Sequence, residues 1–200
     1  MSWWRSTPLD EVRWTVIDCE TSGLDIARDR LISVGAVEVV QGRVELATAY
    51  SAGVRQDVPS RHENIVIHGI GADAQRAGQP LAEVGQALLH FAQGSVPVAF
   101  HAAFDAGILR RHGVVLEQPW LDLALLAPAL FPGRAKREAP LDTWLAAFGV
   151  PALDRHDALG DAFATAQLLL IALAEGKRQG MTTLQKLRAL QRNTRWLGTY

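Results

Sequence analysis

Apolar residues recur with period two near the start of the chain and with period near 3.6 further along. Residues 14–20, 31–40 and 43–51 alternate apolar and polar positions and read as strands, the last two joined by a Gln41-Gly42 turn. These three predict an antiparallel meander. Residues 59–78 look irregular, with short helical turns. Pro80 opens a helix to about residue 92, with Leu81, Val84, Leu88 and Phe91 at helical spacing, and Gly94-Ser95 ends it. Residues 96–100 form a short buried strand and 104–112 a helix stopped by Gly113. A helix over 122–130 stops at Phe131-Pro132-Gly133, and 134–139 is a polar loop. Residues 141–148 make a helix ended by Gly149. The helix over 157–175 carries Leu159, Phe163, Ala166, Leu169, Leu170 and Leu173 on one face. Gly180 separates a last helix over 182–195. Strands first, then strand and helix alternating, predict an α/β fold: a mixed sheet with helices on both faces.

Composition narrows this reading. Two hundred residues, 48% hydrophobic and 20% charged, suit one globular domain with at most a small appendage. One cysteine, Cys19, excludes an internal disulfide and a cysteine-rich zinc site. The start, Met-Ser-Trp-Trp-Arg-Ser-Thr-Pro, has no signal-like apolar run, and the apolar stretch 162–174 is too short to span a bilayer, so a cytoplasmic protein without a membrane segment is expected. Net charge is −1, but it is unevenly spread. From Lys177 onward there are six basic residues and no acidic one, whereas the first 176 carry all 21 acidic residues and 14 basic ones. The expected division is therefore a domain over 1–176 and a basic helical tail over 177–200. Such a tail suits a phosphate backbone or an acidic partner, or is simply a solvated helix.

Three segments deliver carboxylates into apolar surroundings. In Val16-Ile17-Asp18-Cys19-Glu20-Thr21, residues two apart on a strand put Asp18 and Glu20 on one face. Adjacent like charges there repel unless a cation intervenes, and Mg²⁺ or Mn²⁺ prefers such oxygen donors. The same pair also describes a strand end opening to solvent. In Phe100-His101-Ala102-Ala103-Phe104-Asp105 the aspartate sits at a helix start, where it could serve as a cap. In His156-Asp157-Ala158-Leu159-Gly160-Asp161-Ala162 the acid lies inside a helix and the histidine before it. Small neighbours there leave room for an ion and a phosphate, and Gly160, which costs about 1 kcal/mol in a helix, gives close approach a motive.

With Thr21, Gly23 and Leu24 attached, the first segment resembles the Asp-x-Glu-Thr-x-Gly-Leu motif of the DEDDh family of 3′–5′ exonucleases. The second resembles that family's His-Asn-Ala-x-Phe-Asp, with His101 where asparagine is usual, and the third its His-x-Ala-x-x-Asp-Ala. Ile67-His68-Gly69-Ile70, Leu121-Asp122-Leu123 and Leu130-Phe131-Pro132-Gly133 extend the likeness over about 14–174. The resemblance implies a ribonuclease H-like sheet, its first three strands antiparallel and the rest parallel. It implies that Asp18, Glu20, Asp105 and Asp161 ligate two Mg²⁺ or Mn²⁺ ions and that His156 is the general base. It further implies release of 5′-mononucleotides from 3′ ends of single-stranded nucleic acid, with DNA proofreading or repair as context. Leu24 and Phe104 could sandwich the terminal base, and Thr21 could reach its sugar. The departure at His101 bears on substrate positioning or local hydrogen bonding, not on the acids.

Three rivals stand beside this reading. One is an RNA-directed exonuclease of the oligoribonuclease or transfer-RNA-trimming type, separable only by contacts to the 2′-hydroxyl. Another is a polymerase-associated binding module acting through the 177–200 tail, which would not need intact acids and His156. The third is a zinc hydrolase on His62, His68 and His101, whose spacing matches no zinc motif.

Overall fold

The alternation around Asp18 becomes β1 (Trp14–Thr21), the strand from which the sheet spreads in both directions. A computed structural model describes residues 7–151 and 157–197. β1 pairs antiparallel with β2 (Leu31–Val40), and β2 with β3 (Arg43–Gly53). Gln41 and Gly42, at φ 50° and 75°, make the two-residue turn whose left-handed backbone matches strand twist. On its other side β1 pairs parallel with β4 (Val96–Ala99), and β4 with β5 (Leu121–Asp122), giving the order β3-β2-β1-β4-β5. The expected meander followed by a parallel addition is what forms.

Among the helices, α1 (His62–His68) and α2 (Ala72–Ala77) fall in the stretch read as irregular with short helical turns. The others are α3 (Leu81–Phe91), α4 (Ala102–Arg111), α5 (Leu123–Leu130), α6 (Leu141–Ala147), α7 (Ala158–Arg178) and α8 (Leu184–Leu197). β5 corrects the helix expected from residue 122. Two residues are too few to show a period, yet Leu121 and Asp122 complete the sheet beside Val98 and Ala99. Asp122 then caps α5 by accepting the Ala124 N–H at 3.0 Å.

β1 separates two cores because its side chains alternate. Val16 joins Val37, Val39 and Val98 under α5–α8, while Ile17 and Cys19 join Val34, Ala36 and Ala52 under α3 and α4. Helix α7 is long and apolar enough to cross a bilayer, but 56% of its most apolar window is buried inside this fold, as a core helix requires.

Two local features set the site's geometry. A Cβ on Gly35 would lie 2.2 Å from the Ala158 carbonyl carbon and 2.3 Å from the Leu159 nitrogen, so the start of α7 rests directly on the backbone of β2. Gly35 is the register partner of Asp18. Between β4 and α4, His101 takes φ 68°, ψ 46°, and its N–H is received by Asp122 Oδ1 at 3.1 Å. Helix α4 consequently starts at Ala102, two residues before the expected start. The left-handed region favours asparagine, and histidine is among the few other residues that enter it readily. The substitution for the usual asparagine is therefore compatible with what the backbone demands there.

The expected division after Gly176 falls inside α7. Leu184 and Leu187 of α8 are 0% and 1% exposed within the same core as α5 and α7. Backbone bonds from Leu9 N to Thr182 O (3.1 Å) and Leu184 N to Thr7 O (3.2 Å) tie α8 to the start of the described chain. Gln191 accepts the Asp122 N–H at 2.8 Å, covering the outer edge of β5.

Three outcomes follow for equilibrium urea unfolding of purified protein. Leu187→Ala should cost about 2–5 kcal/mol, and truncation after Gly176 should give aggregated or unfolded chain, because a buried leucine face is removed. A truncated chain with wild-type stability would contradict the packing of α8. Gly35→Ala should cost about 1–3 kcal/mol, since backbone and not a flexible side chain must move. His101→Asn should stay within about 0.5 kcal/mol of the parent, whereas the β-branched His101→Val should lose about 1–2 kcal/mol. Equal stabilities for those two variants would remove the left-handed constraint.

Candidate active site

At the C-terminal end of β1 the alternation continues past Val16 to Asp18 and Glu20, on the face that receives α7. The pairing register shifts between Glu20 and Thr21, a bulge of the kind that re-aims side chains where a strand ends. Asp157 caps α7 by accepting the Gly160 N–H at 3.0 Å, and Asp161 stands in its first turn, where the helix dipole favours a carboxylate. With α7 seated on Gly35, one oxygen each from Asp18, Glu20 and Asp161 lies within 4.8 Å of the others. Asp161 is 7% exposed and the other two are half-buried.

Three carboxylates in so small a space are unfavourable in low dielectric without a cation. Opposed oxygens on a magnesium ion with 2.0–2.1 Å bonds stand about 4.2 Å apart, so the cluster is close to ligation distance. The donors are all carboxylate oxygens, a set that divalent metal ions accept.

Asp105 stands outside that group, on the α4 side of β1. It is 4% exposed, and its carboxylate receives the Cys19 thiol and the backbone N–H groups of Cys19 and Asp105. Burial pushes its pKa up to about 7 in spite of those donors. The Cys19 thiol is pushed up in turn, first by its own burial and then by the charge of Asp105. A buried acid that ionises at such cost is one that a nearby cation would stabilise. His156 lies outside the described residues, as does its place relative to the acids.

The loop of residues 22–30 shapes the mouth. Ser22 Oγ donates to Asp29 Oδ1 at 2.9 Å, and the Asp25 N–H to Asp29 Oδ2 at 2.8 Å. A Cβ on Gly23 would strike the Asp29 carboxylate, and one on Gly107 would strike Ile26, so both glycines admit the loop. Arg111 donates to the Ile26 and Asp29 carbonyls, fastening the loop to α4, and Asn64 donates to the Ser22 carbonyl from α1. Leu24 is left 87% exposed at the tip. Phe104 is half-buried in the first turn of α4, beside Asp105. The Thr21 hydroxyl donates to the Gly23 carbonyl at 2.6 Å, so it serves its own turn first.

His68, one of the three histidines of the zinc alternative, is 4% exposed and engaged elsewhere. Its Nδ1 accepts the Ile70 N–H at 3.1 Å, which leaves Nε2 to donate to Ser60 Oγ at 3.0 Å. Gly35, Asp122, Asn64 and Arg111 all shape the site and were not picked out for it from sequence. Only Asp122 had a local signal, a single acid before an apolar run, which is a helix-start signature.

An exonuclease family model, RNase T, matches residues 15–169. A DNA polymerase III subunit epsilon-like protein of Rhodobacter capsulatus is 33% identical over 182 residues, which cover 88% of this chain and 26% of that protein. A PolC-type DNA polymerase III of Thermotoga petrophila is 29% identical over 187 residues, 91% of this chain and 13% of the polymerase. The chain thus spans about a quarter or less of the length of these relatives. Among solved structures, Escherichia coli exonuclease I with a dT13 oligonucleotide superposes with a TM-score of 0.70 at 19% identity, covering 84% of this chain and 42% of that one. Exonuclease X with 5′-overhanging duplex DNA gives 0.71 at 23% identity, covering 89% and 99%. With a family model spanning residues 15–169, the chain belongs to the RNase T exonuclease family and is a nuclease, a hydrolase of phosphodiester bonds.

Proposed function

We propose that the protein is a 3′–5′ exonuclease that releases 5′-mononucleotides from single-stranded DNA. The observation that carries this reading is the carboxylate cluster of Asp18, Glu20 and Asp161 at the end of β1, with the buried acid of Asp105 behind it. These four would hold two Mg²⁺ or Mn²⁺ ions, which supply charge neutralisation, an activated water and stabilisation of the leaving oxygen. His156 accepts the proton of the attacking water; an ordinary histidine is half-neutral near pH 6.5 and is a competent base at pH 7. Exposed Leu24 and half-buried Phe104 offer apolar surface to the terminal base, which suits a nuclease tolerant of sequence. Thr21 ends β1 next to Glu20, where it would meet the terminal sugar. DNA is chosen because the relatives are named as polymerase III components and the similar solved structures are titled with DNA. Those names also support association with a polymerase. The leucine face of α8 is not the contact for it, because Leu184 and Leu187 are buried.

The test is digestion of matched linear and circular oligomers, DNA and RNA, labelled at either end. Mg²⁺-dependent loss of the 3′ label first, mononucleotide products, EDTA protection and intact circles are expected. Asp18→Ala, Glu20→Ala, Asp105→Ala and Asp161→Ala should each nearly abolish turnover while leaving the metal-free protein at least as stable as the parent. His156→Ala should slow turnover by about 10²–10⁴-fold with little change in binding. Near-normal turnover in one of these five variants removes that residue from the site, and faster cleavage of RNA overturns the choice of DNA.

A further inference from the structure

We propose that the groove between α4 and α8 is a phosphate subsite that carries the strand on the 5′ side of the scissile bond away from the active site. The proposal rests on the exonuclease reading and extends it to the path of the substrate. The groove has a volume of about 490 Å³, within the usual range for ligand sites. It begins at Ala102 and Ala103, on the same turn as Asp105, and runs down α4 to Arg110. Seven residues of helix from Ala103 to Arg110 span about 10 Å. That is room for two or three nucleotides at about 3.4 Å per step. Its α4 wall is small, with Ala103, Ala106 and Gly107, so a sugar–phosphate backbone can lie close. Half-buried Trp120 gives the opposite wall an aromatic surface.

Basic side chains outnumber acids around the groove; the acids are Asp122, which lines it, and Glu117, exposed between the lining residues Leu116 and Gln118. Arg110 is exposed on the α4 rim. On the α8 rim Arg188 Nη2 donates to the Pro119 carbonyl at 3.1 Å, while its Nε is buried with no hydrogen-bond partner among the described residues. Burial, and then the charge of neighbouring Arg192, both press the Arg188 pKa down. Two guanidinium groups near enough for one charge to act on the other are stabilised by an anion beside them. No acidic residue occurs from Lys177 onward to supply it. Asp122 lines the groove, but it is 6% exposed and its Oδ1 is committed to the His101 and Ala124 N–H groups at 3.1 and 3.0 Å. An anionic polymer leaving the active site meets this groove within one helical turn, which favours a nucleic-acid strand over an acidic peptide.

The test uses the full chain carrying Arg110→Ala together with Arg192→Ala, both exposed side chains, with Arg43→Ala in the β2–β3 hairpin as a control for loss of an exposed positive charge elsewhere. Binding of fluorescein-labelled dT12 is followed by anisotropy in EDTA between about 50 and 200 mM salt. The slope of log affinity against log salt should become shallower by about 1.4 in the double variant, two contacts at about 0.7 each on a single strand, and stay at the parent value in the control. With Mn²⁺ present, the ratio of kcat/KM for dT12 to that for the p-nitrophenyl ester of thymidine 5′-phosphate should fall about tenfold in the double variant. An unchanged slope, or an equal change in the Arg43→Ala control, overturns the subsite. Displacement of a labelled decaglutamate peptide by the double substitution with the dT12 slope unchanged assigns the groove to an acidic partner, and equally overturns it. If neither substrate is hydrolysed by the parent protein, the exonuclease reading fails, while the salt slope still decides the groove.

Discussion

The seating of α7 on the bare backbone of Gly35 is the constraint on which the site depends. Asp18 and Glu20 are placed by β1 alone, but Asp161 comes from a helix that must arrive over their strand end at a fixed height. A side chain on residue 35 would hold that helix off by the thickness of a methyl group, because the atoms it would meet are backbone atoms of Ala158 and Leu159. Carboxylate ligation tolerates errors of a few tenths of an ångström, so a lifted helix would leave two acids and a spectator. The glycine stands opposite Asp18 in the β1–β2 register, so one rung of the ladder carries both a proposed ligand and the clearance that another needs.

The strand between the two cores also explains why the fourth acid behaves differently. Val16, Asp18 and Glu20 share the α7 side, and Ile17 and Cys19 the α4 side, where Asp105 packs against the Cys19 thiol. On that side there is little water, and desolvation raises both groups. Three acids thus gather at a half-open strand end while one is stored in a drier setting. A cation at the strand end would offset the repulsion among Asp18, Glu20 and Asp161, whereas the cost that Asp105 carries comes first from its own burial.

Helix α8 joins two roles on opposite faces. Leu184 and Leu187 complete the core beneath α5 and α7, and Gln191 takes the edge N–H of β5. On the other face Arg188 donates to the carbonyl of Pro119, a lining residue of the proposed groove, with Arg192 beside it. The amphipathic pattern has one physical cause, a helix half in the core, and the basic face is what remains for a ligand.

The residues themselves determined the order of elements, the antiparallel start, the two periodicities and the three acidic motifs, because each is a local property of spacing, turn chemistry or side-chain type. The Gln41-Gly42 turn and the paired faces of β1 follow from such rules. The two-residue β5 did not, since it is too short to show a period and exists only because β4 offers an edge. The left-handed backbone at His101 was hidden too, although the residue type permits it, and Asp122 secures it from another strand. Tertiary structure alone decided that Gly35 admits α7, that Asp105 packs against Cys19 and not in the cluster of the other three acids, and that Leu184 and Leu187 of α8 belong to the core. Each of these is a contact between segments distant in sequence, made by backbone clearance or by which side of a sheet a helix covers, and neither leaves a mark on the local pattern.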